Sequence, residues 1–102
     1  MEEAPARSET DWYDPYKLAQ AIASHETGWF TTGVGVTHNN GCGIRRNGDW
    51  MRYESKEASL EDCVSVVEKY RPWTISQIAQ RWTTTEREFW INNVTYFYNL
   101  NN

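Results

Sequence analysis

Glu26 closes the stretch Leu18-Ala19-Gln20-Ala21-Ile22-Ala23-Ser24-His25-Glu26, and Thr27-Gly28-Trp29 follows at once. If the stretch is helical, Leu18, Ile22 and Glu26 recur at i, i+4 and i+8 and share one face. That face is apolar, so the helix carries a carboxyl toward the core at its C-terminal end. Loss of water and the negative end of the helix dipole both disfavour the charged form there. The result is a raised pKa, which suits a general acid working near neutral pH. The competing reading is a Glu at the helix rim, solvated or paired with an Arg. On spacing alone that second reading is favoured, because structural ion pairs perturb carboxyls too.

The elements that must position Glu26 can be read from local signals. Asp14-Pro15 is a helix start, a side-chain cap followed by Pro at the first helical position. Gly28 is the stop, which predicts a first helix over residues 15–27. The segment from Thr31 to Gly43 is rich in Gly, Thr and Asn and reads as a loop. Asn47-Gly48 between short strand-like runs predicts a small two-stranded hairpin. Ser59-Leu60-Glu61-Asp62 looks like a cap with an acid three positions on, ahead of a second long helix with Leu60, Cys63, Val64 and Val67 on its inner face. Pro72 ends that helix. Thr74 caps a short third helix with Ile75, Ile78, Ala79 and Trp82 inside. Thr85 and Glu88 suggest a last capping box, before a closing helix lined by Phe89, Trp90, Asn93, Val94 and Phe97. The fold class is mainly α (α+β), with one short β-hairpin.

The chain has 102 residues, which predicts one domain over 12–102 preceded by a flexible arm at 1–11. Aromatic residues make up 15% of it, with six Trp and six Tyr, a surplus that needs a use beyond the core. Platforms against sugar rings are one use and protein interfaces another. A net charge of −4 argues against a general nucleic-acid binder, since phosphate contacts need clustered Lys and Arg. Only Arg45, Arg46 and Arg52 form a small basic group. No apolar run approaches membrane-spanning length, and the polar N-terminus has no apolar core of a secretory signal. Action outside a cell then requires another route of delivery, or a leader removed before this sequence begins. Cys42 and Cys63 permit at most one disulfide. Cys63 lies on an apolar helix face, where a buried free thiol is favoured over a catalytic one. No Cys/His spacing resembles a zinc site.

A carboxyl at a helix end, then a polar loop and a short hairpin, is a cleft-forming order. The residues Ala21-Ile22-Ala23-Ser24-His25-Glu26-Thr27-Gly28-Trp29 resemble the Ala-x-x-x-x-Glu-Ser/Thr-Gly-Trp signature of bacterial peptidoglycan hydrolases with a lysozyme-like fold. The likeness is strongest to the endo-β-N-acetylglucosaminidase family of flagellar and autolysin wall enzymes. Asn39-Asn40-Gly41-Cys42-Gly43-Ile44-Arg45 is similar to that family's Asn-Leu-Phe-Gly-Ile-Lys segment. Trp50, then Tyr53-Glu54-Ser55-Lys56-Glu57-Ala58-Ser59-Leu60, looks like its Tyr-x-Ser-x-x-x-Ser-hydrophobic stretch. Ile78-Ala79-Gln80-Arg81-Trp82-Thr83-Thr84, with Phe89 and Val94, echoes its last segment, where a Tyr stands near the place of Trp82. Together these blocks run in order from about Trp12 to Leu100.

The resemblance implies that Glu26 is the proton donor to a glycosidic oxygen and that the partner is the glycan strand of peptidoglycan. It implies neither a metal nor an organic cofactor. Trp29 is then either a packing residue below the acid or a wall of the glycan cleft. Asn40 either shapes its loop or bonds an acetamido group. Trp50, Tyr53 and Trp82 are open between sugar contact and core. His25 faces elsewhere on the helix and takes a surface or structural role.

The family usually carries a second carboxylate on a longer hairpin, and here that insertion is missing. Asp49 is the acid nearest the turn and the candidate partner. Retaining hydrolysis needs carboxyls roughly 5 Å apart and inversion roughly 6.5–9.5 Å. A single-acid route through the substrate's own groups, as in lytic transglycosylases, is the alternative. The implied setting is the cell wall, outside the cell or in the periplasm, or a virion that opens it. Rival readings are an inactive glycan-binding or structural virion module and a protein-interaction domain.

Overall fold

Cap chemistry sets the first helix. In the computed structural model, which describes residues 12–100, α1 spans Pro15–Thr27. The Asp14 carboxylate accepts from the backbone N–H groups of Tyr16 and Lys17 at 2.9 and 3.2 Å, satisfying donors that the first turn leaves open. At the other end Gly28 adopts φ 56°, and its N–H returns to the Ala23 carbonyl. Leu18, Ala19, Ala21, Ile22 and Ala23 are buried, so α1 is the central element of the core. The arm expected at residues 1–11 lies outside the described residues.

The remaining elements are α2 (Val34–Thr37), β1 (Arg45–Arg46), β2 (Asp49–Trp50), α3 (Lys56–Lys69), α4 (Ile75–Trp82) and α5 (Arg87–Leu100). α1 packs against α5 and α3, and α4 packs against α5. The architecture is mainly α with one antiparallel hairpin, as the sequence indicates. The hairpin pairs Arg45 with Trp50 and Arg46 with Asp49. Asn47 and Gly48 both take positive φ, as a two-residue turn with the right-handed strand twist demands. Among the described residues no helix is long and apolar enough to cross a membrane.

Several local expectations are corrected. The segment from Thr31 to Gly43 is not all loop, because Val34–Thr37 forms a single helical turn. α3 begins one turn before the cap expected at Ser59: Ser55 is extended and its hydroxyl accepts from the Ala58 N–H at 3.0 Å. Ser59 is instead internal and buried, where it accepts from the Gly41 N–H at 3.0 Å. The acid of the expected box, Asp62, is engaged by Arg46 and Tyr53. The box expected at Thr85 and Glu88 does not form either. Thr83 takes both the N–H and the carbonyl of Thr85, and α5 starts at Arg87 after Glu86 at φ 51°. The reciprocal box is at Thr74 and Gln77. On α5 the buried stripe is Trp90, Val94 and Tyr98, while Phe89 is 58% exposed. Tyr98 belongs inside because its hydroxyl accepts from the Asp14 N–H at 2.9 Å, tying α5 to the start of α1.

The cysteines also depart from expectation. Cys42 and Cys63 form a disulfide that staples the loop to the inner face of α3, so Cys63 is not a free thiol. Both are fully buried. The Gly41–Ser59 hydrogen bond brings the loop onto that face. Gly41 can lie there because a Cβ would meet the Phe30 ring at 2.4 Å.

Candidate active site

Glu26 sits on the last turn of α1, above the fully buried Leu18 and Ile22, and is itself half-buried. Across the α1–α5 seam, the indole N–H of Trp90 donates to Glu26 Oε2 at 2.7 Å. Burial raises the carboxyl above its ordinary 4.5, and the Trp90 bond, which favours the charged form, offsets only part of that rise. Among the described residues no cation pairs with Glu26; the ion pair there joins Arg46 and Asp62. The rim reading, with Glu26 solvated or held by an Arg, is therefore not the one the fold adopts.

His25 stabilises the same seam. Its Nδ1 lies 3.0 Å from Asn93 Nδ2, and its ring meets the edges of Phe89 and Trp90. Burial lowers its pKa, which favours the neutral ring beside the acid. A neutral neighbour does not hold Glu26 ionised. This is the structural role expected of His25.

The second oxygen of Glu26, Oε1, faces Gly43. A Cβ on Gly43 would lie 3.7 Å from Oε1 and 3.7 Å from Trp50 Cζ3. Gly43, at φ 67°, thus puts no side chain into the gap between the acid and the Trp50 ring, where a Cβ would touch both. Trp50 is 43% exposed, and the Arg45 guanidinium lies 4.8 Å from its ring centroid. Behind this gap runs a file of rings. Trp82 lies 6.2 Å from Trp90 and 6.3 Å from Tyr70, and its N–H donates to the Cys42 carbonyl at 3.1 Å. Trp50 and Trp82 therefore both lie beside Gly43.

The other candidates fall elsewhere. Asn40 is fully buried, and its amide donates to the carbonyls of Ile44 and Met51 and accepts from the Ile44 N–H, each at 2.9 Å. Those bonds leave it shaping the loop under Gly43; direct contact with a glycan is corrected. Tyr53 donates its hydroxyl to Asp62 at 2.5 Å, and Asp62 in turn receives the Arg46 guanidinium at 2.7 and 3.1 Å. Burial, and then Asp62, push the Tyr53 phenol up. Tyr53 is a brace between the hairpin segment and α3, not a free sugar contact. Trp29 follows the helix stop at φ 60°, is 42% exposed and meets Phe30 edge-on.

Asp49 is exposed on β2. It pairs with Arg46, whereas Trp50 pairs with Arg45. Successive strand residues face opposite sides, so Asp49 takes the side away from the Trp50 ring and the gap at Gly43. That placement counts against it as the partner carboxylate.

Three contributors were invisible in the sequence. Trp90 reads only as a core aromatic, and its bond to Glu26 spans 64 positions. Gly43 is one glycine in a glycine-rich loop. Thr27, inside the Glu-Thr-Gly-Trp run, accepts from the Phe30 N–H at 3.0 Å and donates to the Gly41 carbonyl at 2.9 Å, locking the helix end to the loop. Among the described residues no three His, Cys, Asp or Glu side chains cluster to hold a metal. Compared with family models, with curated proteins and with solved structures, the chain matches none.

Proposed function

We propose that this chain is a glycan-cleaving domain acting on bacterial peptidoglycan, with Glu26 as its general acid. One observation carries the reading: a half-buried carboxyl of raised pKa, one oxygen fixed by Trp90, the other facing a gap bordered by Trp50. The substrate class rests on the Glu26-Thr27-Gly28-Trp29 resemblance to the glucosaminidase family of lysozyme-like wall enzymes.

Protonated Oε1 donates its proton to the glycosidic oxygen as the bond from that oxygen to the anomeric carbon breaks. The leaving sugar departs as an alcohol, and positive charge develops on the ring left behind. The carboxylate formed in the same step gains from the Trp90 N–H already aimed at Oε2. The anomeric carbon is then captured by water or by a substrate hydroxyl, whose proton returns to the Glu26 carboxylate, or by the acetamido oxygen, whose oxazolinium is then opened by water. Asp49 facing away from the gap favours a single-acid course through a substrate group, which gives an anhydro product where the hydroxyl attacks and a reducing end where the acetamido group does. On this reading the domain works at the cell wall, in the periplasm or outside the cell, or from a virion.

Purified peptidoglycan tests the assignment. Glu26→Gln keeps an acceptor for Trp90 but has no proton to give, so turbidity loss slows by about 10²–10⁴-fold. Equal rates for the two proteins would sink the assignment. Mass spectrometry of the digest separates anhydro from reducing ends. Glycan binding with no product of either kind would leave a binding module in place of an enzyme.

A further inference from the structure

A second cleft, of about 260 Å³, opens on Gly43 and is lined by Arg45, Val66, Tyr70, Arg81 and Trp82. Glu26 is not part of it. Gly43 and the Trp82 ring are the shared border between this cleft and the acid's gap. Its volume is just under the roughly 300–1,000 Å³ typical of small-molecule pockets, so it takes one ring-sized unit.

The charges in it are unusual for a chain of net charge −4. Two arginines line one small cleft, and among the described residues neither has a carboxylate partner. Arg45 spends one N–H on the Gly48 carbonyl at 2.9 Å and rests against Trp50, which fixes the guanidinium and leaves donors over. Arg81 is exposed on the last turn of α4. Tyr70 and Trp82 supply aromatic walls and Val66 an aliphatic one, the mixed lining that a sugar with an anionic substituent needs.

The helix ends decide the kind of anion. α4 finishes at Trp82, and Tyr70 caps the C-terminus of α3, so both helices bring their negative ends to the cleft. Phosphate sites typically use helix N-termini and backbone N–H groups instead. The negative ends oppose any anion and a dianion most, so the two arginines would have to hold the ligand and a single negative charge is disfavoured least.

We propose that this cleft is a subsite for a carboxylate carried on the glycan, next to the sugar whose bond Glu26 protonates. The subsite rests on the glycan-cleaving reading above. It makes the domain selective for glycan that bears acidic substituents over neutral β-1,4-linked N-acetylglucosamine.

Binding to the Glu26→Gln protein, followed by calorimetry, tests this without turnover. The probes are a neutral N-acetylglucosamine tetramer, an alternating tetramer with free lactyl carboxylates, and the same tetramer with peptide stems attached. An acidic tetramer is expected to bind at least about tenfold more tightly than the neutral one, the strength of one charge-assisted contact. Preference for the bare lactyl form assigns the carboxylate to the sugar, and preference for the stem-bearing form alone assigns it to the peptide. Arg81→Gln, at an exposed position, should reduce the preference to twofold or less while leaving the neutral tetramer's Kd unchanged. Equal affinity for neutral and acidic tetramers, or a preference that survives both Arg81→Gln and Arg45→Gln, would overturn the subsite and leave the glycan reading standing. Failure to bind any tetramer would overturn both.

Discussion

Trp90 gives Glu26 a tunable acidity. Its N–H stabilises the ionised carboxyl, while burial destabilises it, and burial is the larger effect. Removing the N–H with Trp90→Phe leaves burial unopposed and moves the pKa of Glu26 further up. On the proposed reading Glu26 is active while protonated, so activity falls as pH rises through that pKa. The alkaline limb of the pH–rate profile should therefore shift to higher pH in Trp90→Phe, even as the lost anchoring of Oε2 lowers kcat by about tenfold or more. A merely structural Trp90 would lower the rate and leave the limb where it was. His25 is already biased to the neutral form, so its titration does not counterfeit this shift in the same direction.

At the level of elements, the disulfide determines how firmly the loop under the site is held. It joins Cys42, next to Gly43, to α3 across a separation of 21 residues. A link closing a loop of that size contributes about 3 kcal/mol. The Cys42→Ala/Cys63→Ala pair should then melt more than about 10 °C lower. Activity should fall as well, since Trp82 bonds the Cys42 carbonyl. A loss below about 1 kcal/mol in denaturant titrations would mean that the Gly41–Ser59 and Asn40 bonds hold the loop without the staple. Neither the link nor those bonds could be read along the chain, because they depend on which face of α3 the loop meets. α1 was legible for the opposite reason: Asp14, Pro15 and Gly28 act within one turn of themselves. The starts of α3 and α5 were misread because Ser59 and Thr85 carry cap chemistry that tertiary contacts and Thr83 divert to other partners. The helix face of Glu26 left two readings open, and spacing alone favoured the rim over the half-buried place it takes. The residues that tune it were not legible, and Asn40 and Tyr53 looked available only because the groups that occupy them are distant or are backbone.

Across the whole molecule, two carboxyls pull the pH dependence of stability in opposite directions. Burial holds Glu26 above its ordinary 4.5, so in the window above that value the folded chain binds a proton that the unfolded chain has released. Stability in this window falls as pH rises. Asp62 is the reverse case: the Arg46 guanidinium holds its carboxyl below the ordinary 3.8, with the Tyr53 hydroxyl helping against burial. Its contribution is present above 3.8 and is lost as pH falls through the lowered value. Acidification from neutrality should therefore first raise the melting temperature, as Glu26 takes its proton, and then lower it as the brace from the hairpin to α3 lets go. Glu26→Gln should flatten the first rise and melt higher than wild type at pH 7, because no buried charge is left to form. Asp62→Asn should weaken the acid-side fall at a cost of about 0–1 kcal/mol near neutrality, the usual size for a partly exposed pair. Melting curves of the three proteins between pH 2.5 and 8 read both effects at once. A Glu26→Gln protein whose stability follows pH just as the wild type's does would mean that Glu26 is solvated and ordinary, and the general-acid reading would fall with it.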